Sequence, residues 1–168
     1  MEESVIKQSE CPCGSLLPYV ECCGVYHTQS RNAPTAETLM RSRYSAFVLQ
    51  LGDYVLATWD KTTRPKTMDF ADDQTVWTRL EILGCKKGLA KDEKGLVEFK
   101  AHYQLHDKEF ILHELSRFVR RQGQWFYLDG TVKAIAKPNV ETSLGLNAAC
   151  ACGSGKKFKR CCGKASHS

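Results

Sequence analysis

Long apolar segments and targeting segments are missing from this sequence of 168 residues. No stretch approaches the roughly 18 consecutive apolar residues that a membrane-spanning helix requires. Residues 1–10, MEESVIKQSE, have neither the basic start nor the apolar run of a secretory signal peptide. We therefore expect a cytoplasmic protein without a transmembrane segment.

The motifs of the common enzyme classes are also missing. The sequence has no glycine-rich phosphate loop, no dinucleotide-binding fingerprint and no nucleophile–base constellation. The segment HELSR at 113–117 lacks the second histidine of a zinc-protease helix. No enzyme class is therefore predicted, and an enzyme with an unassigned substrate stays an alternative.

Cysteine, by contrast, is abundant, and eight of the nine cysteines follow one pattern that occurs twice. Each copy has two cysteines separated by one residue, then an insert of eight residues, then two adjacent cysteines. The candidate metal ligands are Cys11, Cys13, Cys22 and Cys23 near the start, and Cys150, Cys152, Cys161 and Cys162 near the end. His27 is interpreted as a surface or packing residue, because four cysteines already complete a site. Cys85 is predicted to be a half-buried strand thiol without a role.

Three interpretations compete for the patterned cysteines: disulfides, buried or redox-active thiols, and metal ligands. Adjacent Cys22 and Cys23 have Cα atoms about 3.8 Å apart, less than the roughly 4.4–6.8 Å that a disulfide prefers. Crosswise bonds between the two pairs of one copy remain geometrically possible. Zinc accepts four thiolates at about 2.3 Å, and patterned cysteines in a cytosolic chain are more often metal ligands than disulfides. The sequence therefore favours two structural zinc ions.

The charge balance depends on this assignment. The formal net charge of +5 counts every cysteine as neutral. Two tetrathiolate zinc sites would reduce the net charge to about +1, because ligating thiols are deprotonated. The basic composition is therefore poor support for a nucleic-acid partner.

Helical periodicity is confined to the first half of the chain. Thr35 is a suitable N-cap, and apolar residues then recur at three- and four-residue spacing as far as Leu51. We expect this amphipathic helix to end near Gly52 and Asp53 to cap a second, short helix. The polar segment 60–75 is broken by a proline and is expected to form a loop.

From residue 76 onwards the period changes to that of strands. Residues 76–82, 97–103 and 110–119 alternate between two faces, and a last strand over 125–130 completes the set. Short connections give antiparallel neighbours in sequential order. The predicted fold class is α+β, with N-terminal helices packed on an antiparallel sheet.

The organisation along the chain follows from these patterns. We expect an N-terminal zinc module at 10–27, an α+β domain at 33–135, a linker at 136–147 and a C-terminal zinc module at 148–164. The first insert, GSLLPYVE, is mostly apolar, whereas the second, GSGKKFKR, is strongly basic. We therefore expect the first module to be docked on the domain and the second to be more exposed.

The second copy, CACGSGKKFKRCCG, resembles the SEC-C motif, the small zinc-binding module at the C-terminus of the SecA preprotein translocase ATPase. CPCGS…CCGVYH, APTAETLMRSRYSAFV, DYVLATW and FILHELSRFVRRQGQWFYLDG together resemble the bacterial YchJ family. The resemblance covers most of residues 11–163. It implies SEC-C modules that flank a cone-shaped, ketosteroid-isomerase-like (cystatin-like) α+β domain.

The first copy departs from the Gly-Lys-Lys run of the SEC-C motif at Leu16, Leu17, Pro18 and Val20. In SecA the comparable module contacts the chaperone SecB and acidic lipid. The resemblance therefore implies an acidic protein or lipid partner for the basic positions of the second copy: Lys156, Lys157, Lys159 and Arg160. One alternative is that these residues form a solvated helix face without a partner. A weaker alternative is that they bind nucleic acid.

The resemblance also implies a cavity between the long helix and the sheet. The candidate residues of this pocket are Arg43, Tyr44, Arg79, His113, Glu114 and Arg117. Strand alternation places His113 and Glu114 on opposite faces of the sheet, so a regular strand cannot send both into one cavity. One interpretation is a buried Glu114–Arg43 pair that orients helix on sheet. The other makes Glu114, the sole catalytic candidate, a general base.

The primary functional prediction is a zinc-binding protein that acts as an interaction or adapter module. Its zinc sites would be structural, because four protein ligands leave no position for a reactive water. The alternatives are an enzyme or small-ligand binder that uses the central pocket, and nucleic-acid binding through the basic C-terminal module.

Overall fold

A computed structural model describes residues 9–137 of the chain. A 3-10 turn, Tyr19–Glu21, precedes the helices α1 (Gly24–His27), α2 (Ala36–Val48) and α3 (Gly52–Ala57). The strands are β1 (Val76–Lys87), β2 (Lys94–Leu105), β3 (Lys108–Arg121) and β4 (Gln124–Ala136). They form one antiparallel sheet in the sequential order β1-β2-β3-β4. The predicted α+β arrangement is confirmed.

Helix α2 begins where the sequence predicts. The hydroxyl of Thr35 accepts a hydrogen bond from the Thr38 amide at 3.1 Å, and Glu37 lies in the first turn. This cap satisfies one of the amides that a helix N-terminus leaves without an intrahelical partner. The helix ends at Val48, earlier than the expected end near Gly52.

The prediction that Asp53 caps the next helix is wrong. Helix α3 begins at Gly52, so Asp53 lies inside its first turn and Leu51 precedes the helix. The Leu51 amide donates to the Ala46 carbonyl at 2.8 Å. This bond ends α2, and the next helix then begins one residue before Asp53.

A β-bulge changes the phase of β1. The pairing of β1 with β2 shifts register between Trp77 and Arg79, and a bulge of this kind re-aims the side chains beyond it. Trp77 packs against the core and Leu80 is 7% exposed, whereas Val76 is 58% exposed. The simple alternation that groups Val76 with Leu80 is therefore wrong for this strand.

The main hydrophobic core lies between α2 and one face of the sheet. Its most deeply buried large side chains are Leu39, Tyr44, Val97, Phe99, Phe118 and Trp125. The indole N–H of Trp125 donates to the Pro34 carbonyl at 3.2 Å. Because Trp125 lies on β4, this bond holds the start of α2 against the last strand.

The chain that leaves α3 is joined to β4 by a short parallel bridge. The Asp60 amide donates to the Tyr127 carbonyl at 2.8 Å, and the Tyr127 amide donates to the Thr58 carbonyl at 2.9 Å. The Trp59 ring consequently lies 4.9 Å from the Tyr127 ring, edge to face. This bridge positions two aromatic walls of the interior pocket.

Residues 9–137 belong to one compact unit that ends at Lys137. In this part of the chain, no helix has the length and apolar character needed to cross a membrane. Several sequence predictions lie outside the described residues: nearly all of the linker 136–147, the second set of cysteines and the basic positions of its insert.

Candidate metal centre and ligand pocket

Four cysteine thiols converge near the start of the described chain. The cluster consists of Cys11, Cys13, Cys22 and Cys23, whose Sγ atoms all lie within 4.8 Å of one another. The Sγ of Cys22 lies 3.6 Å from that of Cys13 and 4.0 Å from that of Cys23. Zinc–sulfur bonds of about 2.3 Å give a tetrahedron with edges of about 3.8 Å. The thiol cluster therefore has the dimensions of a tetrathiolate zinc site.

Local backbone geometry brings the two cysteine pairs together. Gly14 adopts a φ of +78°, and its amide donates to the Cys11 carbonyl at 3.1 Å. Glycine adopts this left-handed conformation without the penalty that a Cβ imposes. Cys22 and Cys23 lie between the 3-10 turn and α1. The turn at Gly14 thus folds the first pair back towards the second.

The electrostatics of the cluster favour a cation. Cys13 is fully buried and Cys23 is 1% exposed. Burial raises the pKa of the Cys22 thiol to about 11. Hydrogen bonding to the Cys11 and Cys13 sulfurs raises the pKa of Cys23. Like charges at this distance disfavour one another, whereas a bound divalent cation deprotonates its thiol ligands.

The cysteine module is docked on α2, as its apolar insert predicts. The Sγ of Cys11 lies 3.6 Å from the Ser45 hydroxyl, which is fully buried. Arg41 donates from Nη1 to the Cys13 carbonyl at 3.0 Å. Because both contacts reach the same helix, a metal in the cluster would hold this module on the domain.

His27 is a packing residue at the same junction. Its Nε2 lies 2.8 Å from the Ser42 carbonyl and its Nδ1 lies 2.7 Å from the Tyr19 hydroxyl. A carbonyl can only accept, so Nε2 carries the proton and Nδ1 accepts from Tyr19. Burial lowers the pKa of His27, in agreement with a neutral ring. Both ring nitrogens are therefore engaged away from the thiols.

Cys85 lies apart from the thiol cluster, on strand β1. It is exposed, and its Sγ donates to the Glu37 carboxylate at 3.6 Å. The prediction of a half-buried thiol is wrong, because residues 83–87 at this end of β1 are all exposed.

An interior pocket of about 210 Å³ lies between α2 and the sheet. Its walls are mostly aromatic and apolar, with one guanidinium and one carboxylate among them. The residues that define its chemistry are Arg43, Tyr44, Trp59, Trp77, Glu114 and Tyr127. Arg43, Tyr44 and Glu114 were predicted from the sequence, and the three others were not.

Three predicted pocket residues lie elsewhere. His113 shares a hydrogen bond of 2.8 Å with the Glu98 carboxylate, and Lys133 lies 2.5 Å from the same oxygen. Because His113 alternates with the pocket residue Glu114, it projects from the opposite face of β3. Its assignment to the pocket is wrong.

Arg79 and Arg117 also belong to exposed ion pairs. Arg79 contacts Glu81 on its own strand. The Nε of Arg117 on β3 donates to Asp129 on β4 at 2.6 Å. Neither arginine lines the interior pocket, because the bulge in β1 and the alternation of β3 carry the two side chains away from it.

The predicted Glu114–Arg43 ion pair is not formed. Among residues 9–137, no carboxylate lies within salt-bridge distance of Arg43, which is 3% exposed. The guanidinium instead donates from Nη1 to the Val55 carbonyl and the Thr58 hydroxyl, each at 2.7 Å. The end of α3, and not Glu114, therefore supplies the hydrogen-bond acceptors for Arg43.

Glu114 is held by neighbours within the sheet. Its Oε1 accepts from the Ser116 hydroxyl at 2.7 Å and from the Tyr127 hydroxyl at 3.4 Å. Gly130 on β4 provides the space, because a Cβ at that position would lie 2.7 Å from Cδ of Glu114 and 2.9 Å from the Tyr127 hydroxyl. A glycine inside a strand is the signal that could have revealed this close approach.

The aromatic walls carry a further feature that the sequence does not reveal. In the described part of the chain, the buried indole N–H groups of Trp59 and Trp77 have no hydrogen-bond partner. Trp125, in contrast, donates to a carbonyl. The sequence pattern did not indicate that Trp77 faces the pocket, because the bulge in β1 changes the alternation. It did not indicate Trp59, because this residue lies just beyond α3.

Two family models match this chain. Residues 35–130 match the family model described as "YchJ, middle NTF2-like domain". This chain belongs to the YchJ family. Residues 147–164 match the SEC-C motif, so the resemblance drawn from the sequence is confirmed. The middle domain of this YchJ-family chain is NTF2-like, and the finer cone-shaped assignment stays a prediction.

Relatives match over most of their length. A UPF0225 protein of Vibrio parahaemolyticus is 39% identical, and the match covers 92% of this chain and 99% of the relative. A UPF0225 protein of Enterobacter sp. strain 638 is 41% identical, with 92% and 97% covered.

Two solved structures share the fold. The solution structure of a SEC-C motif containing protein from Rhodopseudomonas palustris has a TM-score of 0.67 and 31% identity. The match covers 75% of this chain and 100% of that one. A crystal structure of a SEC-C motif containing protein from Psychrobacter arcticus has a TM-score of 0.63 and 34% identity, with 95% and 98% covered. The SEC-C match and the four-cysteine cluster together indicate metal binding.

Proposed function

We propose that this YchJ-family protein is a zinc-stabilised, cytoplasmic protein whose central pocket binds a small ligand. The observation that carries the proposal is the pocket itself, in which a buried guanidinium and a carboxylate line one interior space without pairing. Buried charges in proteins are normally paired, so this arrangement favours a site built for another molecule. We retain the segments 10–27, 33–135, 136–147 and 148–164 as the proposed organisation.

The proposed zinc is structural. Four thiolates fill a tetrahedral site and leave no open position for a reactive water. The helical segments around the cluster contain only three and four residues, too few to form a stable module by themselves. Zinc-binding energy would supply that stability. We infer an equivalent site at the second cysteine copy, hence about two zinc ions per chain.

Metal analysis of the purified full chain tests this proposal. We expect about two zinc ions per chain, and about one in the Cys22→Ser variant, because a tetrahedral site that loses a ligand binds zinc weakly. Cys85→Ser is the matched control, since this exposed thiol lies outside the cluster. An unmodified chain with less than one zinc and all thiols free would contradict the assignment, as would a Cys22→Ser variant that retains both ions.

A second candidate function concerns the C-terminal module. The SEC-C match at 147–164 includes the four basic positions of the second insert, which supports a docking role towards an acidic surface. Anionic vesicles at two salt concentrations provide the test, because electrostatic binding through lysine and arginine weakens as salt rises. Simultaneous neutralisation of Lys156, Lys157, Lys159 and Arg160 should abolish that binding. Undiminished binding, or tighter binding to nucleic acid than to vesicles, would reject the vesicle-docking role.

The pocket itself can be tested by nuclear magnetic resonance. The three indole N–H signals form an internal comparison, because Trp59 and Trp77 line the pocket and Trp125 donates to a carbonyl outside it. A fragment library that contains acidic, basic and neutral members should include binders that shift the Trp59 and Trp77 signals more than that of Trp125. If no fragment of any charge does so, the pocket does not bind small molecules and the proposed function fails.

A further inference from the structure

Arg43 is the most unusual group in the pocket. It lies on α2 and is 3% exposed, and both hydrogens of its Nη1 are used by the Val55 carbonyl and the Thr58 hydroxyl. Its Cζ lies 5.2 Å from the Trp59 ring centroid and 4.6 Å from that of Tyr127. Two hydrogen bonds and two aromatic faces therefore hold the guanidinium in one orientation.

The opposite edge of this guanidinium has no acceptor in the described chain. No hydrogen bond within residues 9–137 involves Nε or Nη2 of Arg43. Burial lowers the pKa of Arg43 to about 10, so the side chain is still charged at neutral pH. The contacts with Trp59 and Tyr127 stabilise a cation, yet they do not supply the anion that a buried charge requires.

Glu114 does not neutralise this charge by direct contact. It lines the same pocket, but its Oε1 is engaged by the Ser116 and Tyr127 hydroxyls. Within the described residues, its Oε2 takes part in no hydrogen bond. The pocket thus contains the Arg43 guanidinium, whose Nε and Nη2 can donate hydrogen bonds. It also contains Oε2 of Glu114, which can accept one.

We propose that the pocket binds a small carboxylic acid with a ring-sized apolar body. The ligand carboxylate accepts from Nε and Nη2 of Arg43, in the two-bond geometry that guanidinium and carboxylate share. The apolar body packs against the aromatic walls of the pocket. This inference rests on the proposed function, since it names the ligand class of that same pocket.

The dimensions and charges select this class over others. A volume of about 210 Å³ is below the roughly 300–1,000 Å³ of pockets for drug-sized ligands, so the ligand is small. A phosphate ester would bring a second negative charge towards Glu114, where no second cation lines the pocket. A cationic ligand would meet Arg43 inside a low-dielectric space, where like charges repel strongly.

Matched pairs of acids and amides test the proposal on the unmodified full chain. The probes are 4-hydroxybenzoate and 4-hydroxybenzamide, with tyramine as the cationic member, titrated at neutral pH and followed at the Trp59 and Trp77 indole signals. We expect the acid to bind at least about tenfold more tightly than the amide, because a hydrogen-bonded charge pair is lost in the amide. Equal affinities, or tighter binding of tyramine, would overturn the proposal.

Variants assign the contact to Arg43. Arg43→Gln should reduce the affinity for 4-hydroxybenzoate by about tenfold or more and leave that for the amide nearly unchanged. Arg79→Gln is the matched control, because Arg79 pairs with Glu81 outside the pocket, and it should change neither affinity. If Arg43→Gln fails to fold, the acid-to-amide ratio of the unmodified chain still decides the ligand class.

Two further outcomes separate the ligand class from the function of the pocket. Neutral or cationic fragments that bind while all acids fail would overturn the ligand class but not the pocket's function. A library in which nothing binds would reject both.

Discussion

Gly130→Ala probes the construction of the pocket most directly. A Cβ at this position would lie 2.7 Å from Cδ of Glu114 and 2.9 Å from the Tyr127 hydroxyl. Both groups are confined, because Glu114 is bonded to Ser116 and the Tyr127 ring packs edge to face on Trp59. We expect the variant to lose about 1–3 kcal/mol of unfolding free energy, the usual cost of an extra methyl group in a packed interior.

Thermal unfolding followed by circular dichroism measures this effect. For a chain of this length, a loss of 1–3 kcal/mol corresponds to a fall in Tm of about 2–12 °C. Gly84→Ala is the matched control, because Gly84 also lies in a strand and a Cβ there would meet nothing within 4 Å. The control should be neutral or slightly stabilising, since alanine restricts the unfolded chain more than glycine does.

A double-mutant cycle identifies the cause of the loss. Glu114→Ala removes the carboxylate that the new methyl group would displace, so Gly130→Ala should cost less in that background. The coupling expected between residues in direct contact is about 0.5–3 kcal/mol. A Gly130→Ala variant as stable as Gly84→Ala would refute the close approach, and additive costs would show that Glu114 is not the obstacle.

Two further changes test the frame around the pocket. The Arg121 guanidinium lowers the pKa of the buried Asp60 carboxyl, so this pair stabilises the fold above the ordinary value near 3.8 and loses that contribution as the pH falls below it. Asp60→Asn should therefore destabilise the protein at pH 7. Between pH 7 and pH 3 the variant should lose less unfolding free energy than the parent, as urea titrations at both pH values would show. Equal losses in the two proteins would contradict a stabilising Asp60–Arg121 pair. Thr35→Ala should cost about 1 kcal/mol by removing the N-cap of α2, and an unchanged urea midpoint would contradict that cap.

The elements were largely predictable because their signals are local. Thr35 marks the start of α2, and the change of period near residue 76 marks the transition from helices to strands. The prediction of side-chain direction was wrong where the pairing of two strands changes the alternation along one of them. The bulge beside Trp77 is a property of two paired strands, so alternation along one strand could not reveal it.

The pocket was only partly predictable for a related reason. Arg43 and Glu114 stood out as charges within apolar stripes, and both line the cavity. Their predicted pairing failed because a third segment, the end of α3, supplies the acceptors for Arg43. No pattern within α2 or β3 contains that information.

The sequence by itself determined the grouping of the first four cysteines and the order of the elements. Cysteine spacing predicts such a cluster, since four thiolates matched to one ion require few residues and little surrounding structure. The relation between Arg43 and Glu114 was decided only by the tertiary structure. Both residues line one cavity, but Arg43 bonds to the end of α3 and Glu114 bonds to Ser116 and Tyr127, because contacts between segments remote in sequence depend on how those segments pack.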